Sequence, residues 1–272
     1  MNNFCGTNVL TEVNKNGNYE VKPFVSLHTH TDASIDGLST VETLLGTAKK
    51  KEINTVAITD HGTLANTIVF NKTANNLSLK AIIGLEVYVT DGNTTFHLTL
   101  LANGNNGYNQ LVDINNHAKR NNNKVKISYL LQDKFTDIIV LSGCPGSPMQ
   151  VEKSGLTEAK KLATNFRSIY QDRFFIEIMF VTDNLKNPSW ERSIELSEQL
   201  NIPLVLTNDV HFPEADNAKL HNLLTKIRMG GFEYHSDNLY LVKSNELLDR
   251  VNYLDNKLVN YATVGLNNAF EL

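Results

Sequence analysis

Residues 24–37, FVSLHTHTDASIDG, end an apolar run in two histidines one residue apart, and carboxylates follow in the next turn. Residues i and i+2 of an extended chain share a face. His28 and His30 can therefore point together from one strand end, with Asp32 or Asp36 arriving from the loop behind them. Imidazole nitrogen and carboxylate oxygen together make a metal-ligand set. The same residue types recur where other apolar runs stop. TVAITDHG brings Asp60 and His61, IIVLSGC brings Cys144, and LVLTNDVH brings Asp209 and His211. Glu86 interrupts KAIIGLEVYV, and His97 lies inside TFHLTLLA.

Each of these has an ordinary explanation when taken alone. A single histidine can be a satisfied core residue, Cys144 a small buried hydrophobe, and Asp60 or Asp209 a helix cap. Glu86 resists this, because a buried carboxylate needs a cation or donors. All the ordinary explanations would have to hold at once, and that favours a shared site. His117, His221 and His235 fall on helices or loops without such neighbours and are read as structural. The donor set suits zinc and also admits manganese or iron. More than four ligands implies more than one ion, and paired ions activate water and hold phosphoryl oxygens in hydrolysis. No Walker loop, dinucleotide-binding glycine fingerprint or GxSxG elbow is present.

The elements that must position these residues alternate. Strands are expected near 55–59, 80–89, 95–102, 138–143, 174–178, 204–207 and 239–242. Helices are expected from Thr40, over about 64–75, 108–119, 157–170 and 188–200, through 213–230, and over 244–254 and 257–270. Asn16-Gly17 predicts a hairpin turn within 9–25. Strands alternating with helices predict βα units and a parallel sheet, nearly or fully closed into a barrel whose strand ends carry the site. The chain has 272 residues, a net charge of −4 and two cysteines, Cys5 and Cys144. That balance argues against a protein that coats nucleic acid through bulk charge. It leaves open one that meets nucleic acid at a cation-filled cleft. Lys119, Arg120, Lys124 and Lys126 are candidate strand contacts, as are the lysines at 49–51, which read more simply as a solvated helix end near the negative helix pole. No basic leader and no apolar run of membrane-spanning length is seen. The expectation is a cytoplasmic protein with reduced thiols and no membrane partner.

HTHTDASIDG, AITDHGTL, IIGLEVYV, FHLTLLANGNNGYNQLV, IVLSGC and LVLTNDVHF resemble, in order and spacing, the motifs of the PHP (polymerase and histidinol phosphatase) family. The likeness is strongest to the PHP domain of bacterial DNA polymerase III alpha subunits and extends to RFFIEI and beyond Phe212. The resemblance implies an α/β fold, a distorted (β/α)7 barrel over residues 1–235, with a connector-like helical extension over 236–272. It implies a trinuclear divalent metal centre held by His28, His30, Asp36, His61, Glu86, His97, Cys144, Asp209 and His211. Glu86 would bridge two ions, and Glu86, Asp209 and His211 would serve catalysis. The turn from His30 to Asp36 is one residue shorter than in those polymerases, which leaves Asp32 as an alternative ligand. Asp60 is expected to orient a ligand. The implied activity is phosphoester hydrolysis, first a 3′–5′ exonuclease acting on a DNA 3′ end beside a replication partner. A small-metabolite phosphomonoesterase and a non-catalytic polymerase-associated module are the alternatives. A chain of this length has no room for polymerase palm, fingers and thumb.

Overall fold

The structure, a computed structural model, describes residues 21–272 apart from 93, 145, 150–154, 181–188, 232–236 and 255–257. The expected hairpin at Asn16-Gly17, together with Cys5 and His235, lies outside the described residues. Seven strands form one sheet: β1 (Thr55–Ile58), β2 (Lys80–Thr90), β3 (Thr95–Ala102), β4 (Lys124–Lys126), β5 (Ile138–Leu141), β6 (Phe174–Met179) and β7 (Leu204–Thr207). The order is β1-β2-β3-β5-β6-β7, with β4 paired to the outer end of β2. The segment carrying His28 and His30 closes the curl. Ser26 bridges Val56 on one side and Thr29 bridges Val210 on the other. Backbone bonds from His30 N to Val210 O (2.7 Å) and from Ala57 N to Ser26 O (2.6 Å) hold it there. This segment is not the regular strand expected, because it bends at His28.

The all-parallel expectation fails at one strand. β3 runs antiparallel to both β2 and β5. Only 91–94 separate β2 from β3, and a crossover between parallel strands needs a dozen residues or more. That connection can only make a hairpin. The consequence for the site is large: reversal of β3 lifts His97, near its start, to the same mouth as the C-terminal ends of the parallel strands.

Helices α1 (Val41–Lys50), α2 (Thr67–Asn76), α3 (Gly104–Arg120), α4 (Ile127–Leu130), α5 (Leu156–Tyr170), α6 (Ser189–Leu200), α7 (Ala218–Arg228), α8 (Ser244–Leu254) and α9 (Val259–Glu271) complete the chain. Their apolar sides cover the outside of the sheet and form the main core. Thr40 caps α1, accepting a hydrogen bond from Thr43 N, as Ser and Thr do before a helix. The strand expected at 239–242 is reduced to a single bridge between Phe212 and Tyr240. β4 and α4 were not anticipated. Within the barrel a smaller apolar layer gathers Leu27, Ala57, Leu101, Leu141, Phe175 and Val205, with Ala269 of α9 below it. Two residues further toward the mouth the inward positions turn polar: Thr59, Thr99, Glu177 and Thr207, all buried. The barrel thus has an apolar floor and a polar ceiling. Among the described residues no helix is long and apolar enough to cross a membrane.

Candidate metal centre

The polar ceiling is where the histidines converge. Glu86, with 1% of its side chain exposed, meets four of them. Its Oε2 stands 3.3 Å from His28 Nε2, 3.2 Å from His30 Nε2 and 2.9 Å from His61 Nδ1. Its Oε1 stands 3.3 Å from His97 Nδ1. Asp209 Oδ1 lies 3.4 Å from His28 Nε2 and 3.3 Å from His30 Nε2. Asp36 Oδ2 lies 3.1 Å from His61 Nε2 and 3.3 Å from His211 Nε2. Cys144 sits at the rim, its Sγ 3.9 Å from His97 Nδ1. Three overlapping groups have ligand atoms close enough to share an ion: His30, Asp36, His61 and His211; His28, His30 and Asp209; His61, Glu86 and His97. All nine residues expected from the sequence therefore lie at one mouth.

Asp32 is not among them. It is exposed, and its carboxylate accepts from Asn66 Nδ2 at 3.0 Å. Asp36 is buried and faces the cluster. Asp60 holds the loop: it accepts from Thr31 N (2.6 Å) and Thr31 Oγ1 (2.7 Å). It fixes the chain just after His30 and stays out of the cluster itself. Ser34 Oγ ties the same loop together, 3.1 Å from His30 Nδ1 and accepting from His61 N at 2.8 Å.

Two residues were not recognised from the sequence. Glu177, wholly buried in β6, lies 2.8 Å from His28 Nδ1 and accepts from Thr207 Oγ1 at 2.7 Å. A carboxylate on the far nitrogen of a ligand histidine fixes its tautomer and raises its basicity. The signal was present, since Glu177 interrupts the apolar run FFIEIMF as Glu86 interrupts its own. His221 is the second. Its place is structural, as expected, but not remote from the cluster: it is buried in α7, its Nε2 lies 2.8 Å from Asp36 O and its ring 5.4 Å from that of His211. His117 does keep a peripheral place, stacked on Tyr129 at 3.6 Å.

The electrostatics are those of a site that expects cations. Burial opposes charge on His28, yet Glu177, Glu86 and Asp209 hold its pKa well above the usual value. Burial likewise opposes His61, which Glu86 and Asp36 raise, and His97, which Glu86 lifts to about 10. Burial would push the carboxylates up. His211 and His61 instead hold Asp36 below the carboxylate range, and His61, His28 and His97 do the same for Glu86. The carboxylates thus favour positive charge at this point, as a site for divalent ions would. Buried atoms His28 Nε2, His30 Nε2, His61 Nδ1 and Glu86 Oε2 have no hydrogen-bond partner among the described residues. Buried polar atoms rarely lack partners, and these four face one another. The residues present fit a multi-ion site.

The PHP domain family model matches residues 26–180. The chain belongs to the PHP family. The DNA polymerase III alpha subunit of Treponema pallidum is 30% identical to this PHP protein over 249 residues, covering 82% of this chain and 21% of that one. The alpha subunit of Helicobacter pylori strain 26695 is 28% identical over 262 residues, covering 84% and 21%. The chain thus spans about a fifth of the length of the curated relatives it matches. Among solved structures, a two-domain protein from Bacteroides vulgatus containing a PHP-like metal-dependent phosphoesterase is similar at 14% identity and a TM-score of 0.43, covering 70% of this chain and 53% of that one.

Proposed function

We propose that the protein is a metal-dependent phosphoester hydrolase, and that its substrate is a DNA 3′ end, removed one nucleotide at a time. The observation that carries the reading is the convergence of five histidines on Glu86, Asp36 and Asp209 with inward nitrogens left unsatisfied. The nine residues from His28 to His211 would hold two or three divalent ions of the zinc, manganese or iron type. Such ions, when bound, lower the pKa of water to roughly 7 and neutralise charge on phosphoryl oxygens.

The chain's own residues do the rest. Glu177 holds His28 by its Nδ1, so that Nε2 faces inward. His211 Nδ1–H donates to Asp209 O at 2.8 Å, which turns its Nε2 to the cluster. Asp209 takes a left-handed backbone conformation, with φ of 46°, and leaves 14% of its side chain exposed at the opening. Non-glycine residues held so are strained and occur at functional sites. In this reading Asp209 accepts the proton of the attacking water, Glu86 draws neighbouring ligands together, and His211 orients Asp36.

The test is elemental analysis of purified protein followed by hydrolysis of a 3′-labelled primer with added manganese. Stepwise shortening from the 3′ end is expected. Release of phosphate from chromogenic monoesters alone would make it a phosphatase, and bound metal without turnover on any phosphoester would make it a structural module. His61→Ala and Glu86→Ala should each reduce hydrolysis to background with helix content retained; wild-type turnover by either variant at full metal loading rules the centre out.

A further inference from the structure

β2, β3 and β4 extend past the barrel mouth as a three-stranded flap whose two faces differ in chemistry. Val87, Val89, Phe96, Leu98 and Val125 are all buried on the side packed against α3. On the other side the register sets Tyr88 opposite His97 and Lys124, and Thr90 opposite Thr95 and Lys126. Residues in register share a face. That face starts at buried Glu86 in the metal cluster and runs outward about 13 Å to Thr90, at ~3.3 Å per residue. Its inner row is His97, Tyr88 and Lys124, and its outer row ends on Lys126.

We propose that this ledge is a binding site for single-stranded nucleic acid, with Tyr88 contacting the nucleotide at the metal cluster, Lys124 beside it and Lys126 further out contacting the phosphates. The inference deepens the hydrolase reading and rests on it for the position of the reacting end. Strands without secondary structure are held by this combination of an aromatic contact and a basic track. Tyr88 is half-buried, its ring 5.5 Å from that of His61 and 4.7 Å from that of His97. Its hydroxyl makes no hydrogen bond among the described residues. Lys124 and Lys126 are exposed and form no ion pair among those residues. The one acid on the hairpin turn, Asp91, is engaged by Thr94, whose N and Oγ1 donate to it at 2.8 and 3.2 Å. A small phosphomonoester would end at the cluster and leave nothing for Lys126, in register with Thr90 at the outer end, to hold. With a net charge of −4, the molecule offers no general positive field to explain them.

Binding is measured by fluorescence anisotropy with a short labelled oligothymidylate and the full chain in EDTA, so that no hydrolysis intervenes. Lys124→Glu combined with Lys126→Glu should weaken binding about 10-fold and flatten the slope of log affinity against log salt by roughly 1.4. Tyr88→Ala should weaken it at least ~5-fold, and Tyr88→Phe should restore most of the loss. Failure of the wild-type chain to bind the oligonucleotide, or equal affinity and salt slope in the double lysine variant, overturns the ledge. Turnover of a small chromogenic diester by the metal-loaded wild-type protein reports the metal centre separately. Its absence sinks the hydrolase reading even where lysine-dependent binding establishes the ledge. Its presence with lysine-independent binding sinks only the ledge.

Discussion

His221 shows what a buried histidine does when it holds a residue of the cluster in place from behind. Burial, reinforced by the charge of His211, pushes its pKa down to about 4. Above pH 6.5 it is neutral in both folded and unfolded chains, and its bond to Asp36 O is intact. As pH falls from 6.5 toward 4 the unfolded chain takes up the proton first, so stability is lost across that window, by ~3 kcal/mol at most. His221→Gln should therefore be less stable than wild type at pH 7.5 by about 1–2 kcal/mol. In urea unfolding at pH 5 that gap should shrink; a gap that stays constant would show that His221 does not titrate as described. Glu177 supports His28 in a parallel way. Glu177→Ala should lower metal affinity about 10–100-fold by calorimetry, with Glu177→Gln intermediate because its amide oxygen can still accept from His28. The sequence showed which residue types could ligate, because His, Asp, Glu and Cys at the ends of apolar runs are visible as interruptions. It could not choose between Asp32 and Asp36. That choice depends on how the 31–37 turn folds, with Asp32 N on Ser39 O (2.8 Å) and Leu38 N on His211 O (2.9 Å), one contact local and one from across the chain.

That turn is the element most exposed to a single change. A Cβ added at Gly37 would overlap Thr31 O in the same turn. Gly37→Ala must open the loop between His30 and Asp36, and the carboxylate would leave the cluster with it. The expected result is a loss of at least ~2 kcal/mol in stability, in line with other strain mechanisms, together with substoichiometric metal by elemental analysis. A Gly37→Ala protein of wild-type stability and full metal content would show that the turn tolerates what its geometry forbids. Most elements were legible because each carries its own periodicity. β3 was placed correctly but given the wrong direction, since an apolar run reads the same from either end. The short connection from Thr90 to Thr95 held the answer. β4 was missed because Lys124 and Lys126 flank a single apolar residue, Val125, and three residues give no pattern to read.

At the scale of the molecule, the barrel is apolar at one end and charged at the other. We propose that residues 236–272 are an extension packed on the barrel rather than a separate body. Ala262 and Leu266 of α9 share the core with Ile176 and Leu206, and a Cβ on Gly265 would stand 2.9 Å from Leu206 N. The charged end determines how stability responds to metal and pH together. In the metal-free protein, His28, His61 and His97 carry raised pKa values and are paired with Glu86, Asp36 and Asp209. A raised histidine stabilises fully below its unfolded value of about 6.5 and loses that contribution as pH climbs to its folded value, about 10 for His97. Metal requires the neutral imidazole, so ions and protons compete for the same nitrogens. Raising the pH thus weakens the metal-free protein while improving conditions for binding. Free metal at ~100 times its Kd adds about 2.7 kcal/mol, which at this chain length is roughly 5–10 °C in Tm. The difference in Tm between metal-loaded and EDTA-treated protein should therefore widen from pH 6.5 to pH 9 in thermal unfolding at fixed free metal. A difference that narrows over that range would mean that the histidines are not the groups from which protons and ions displace each other.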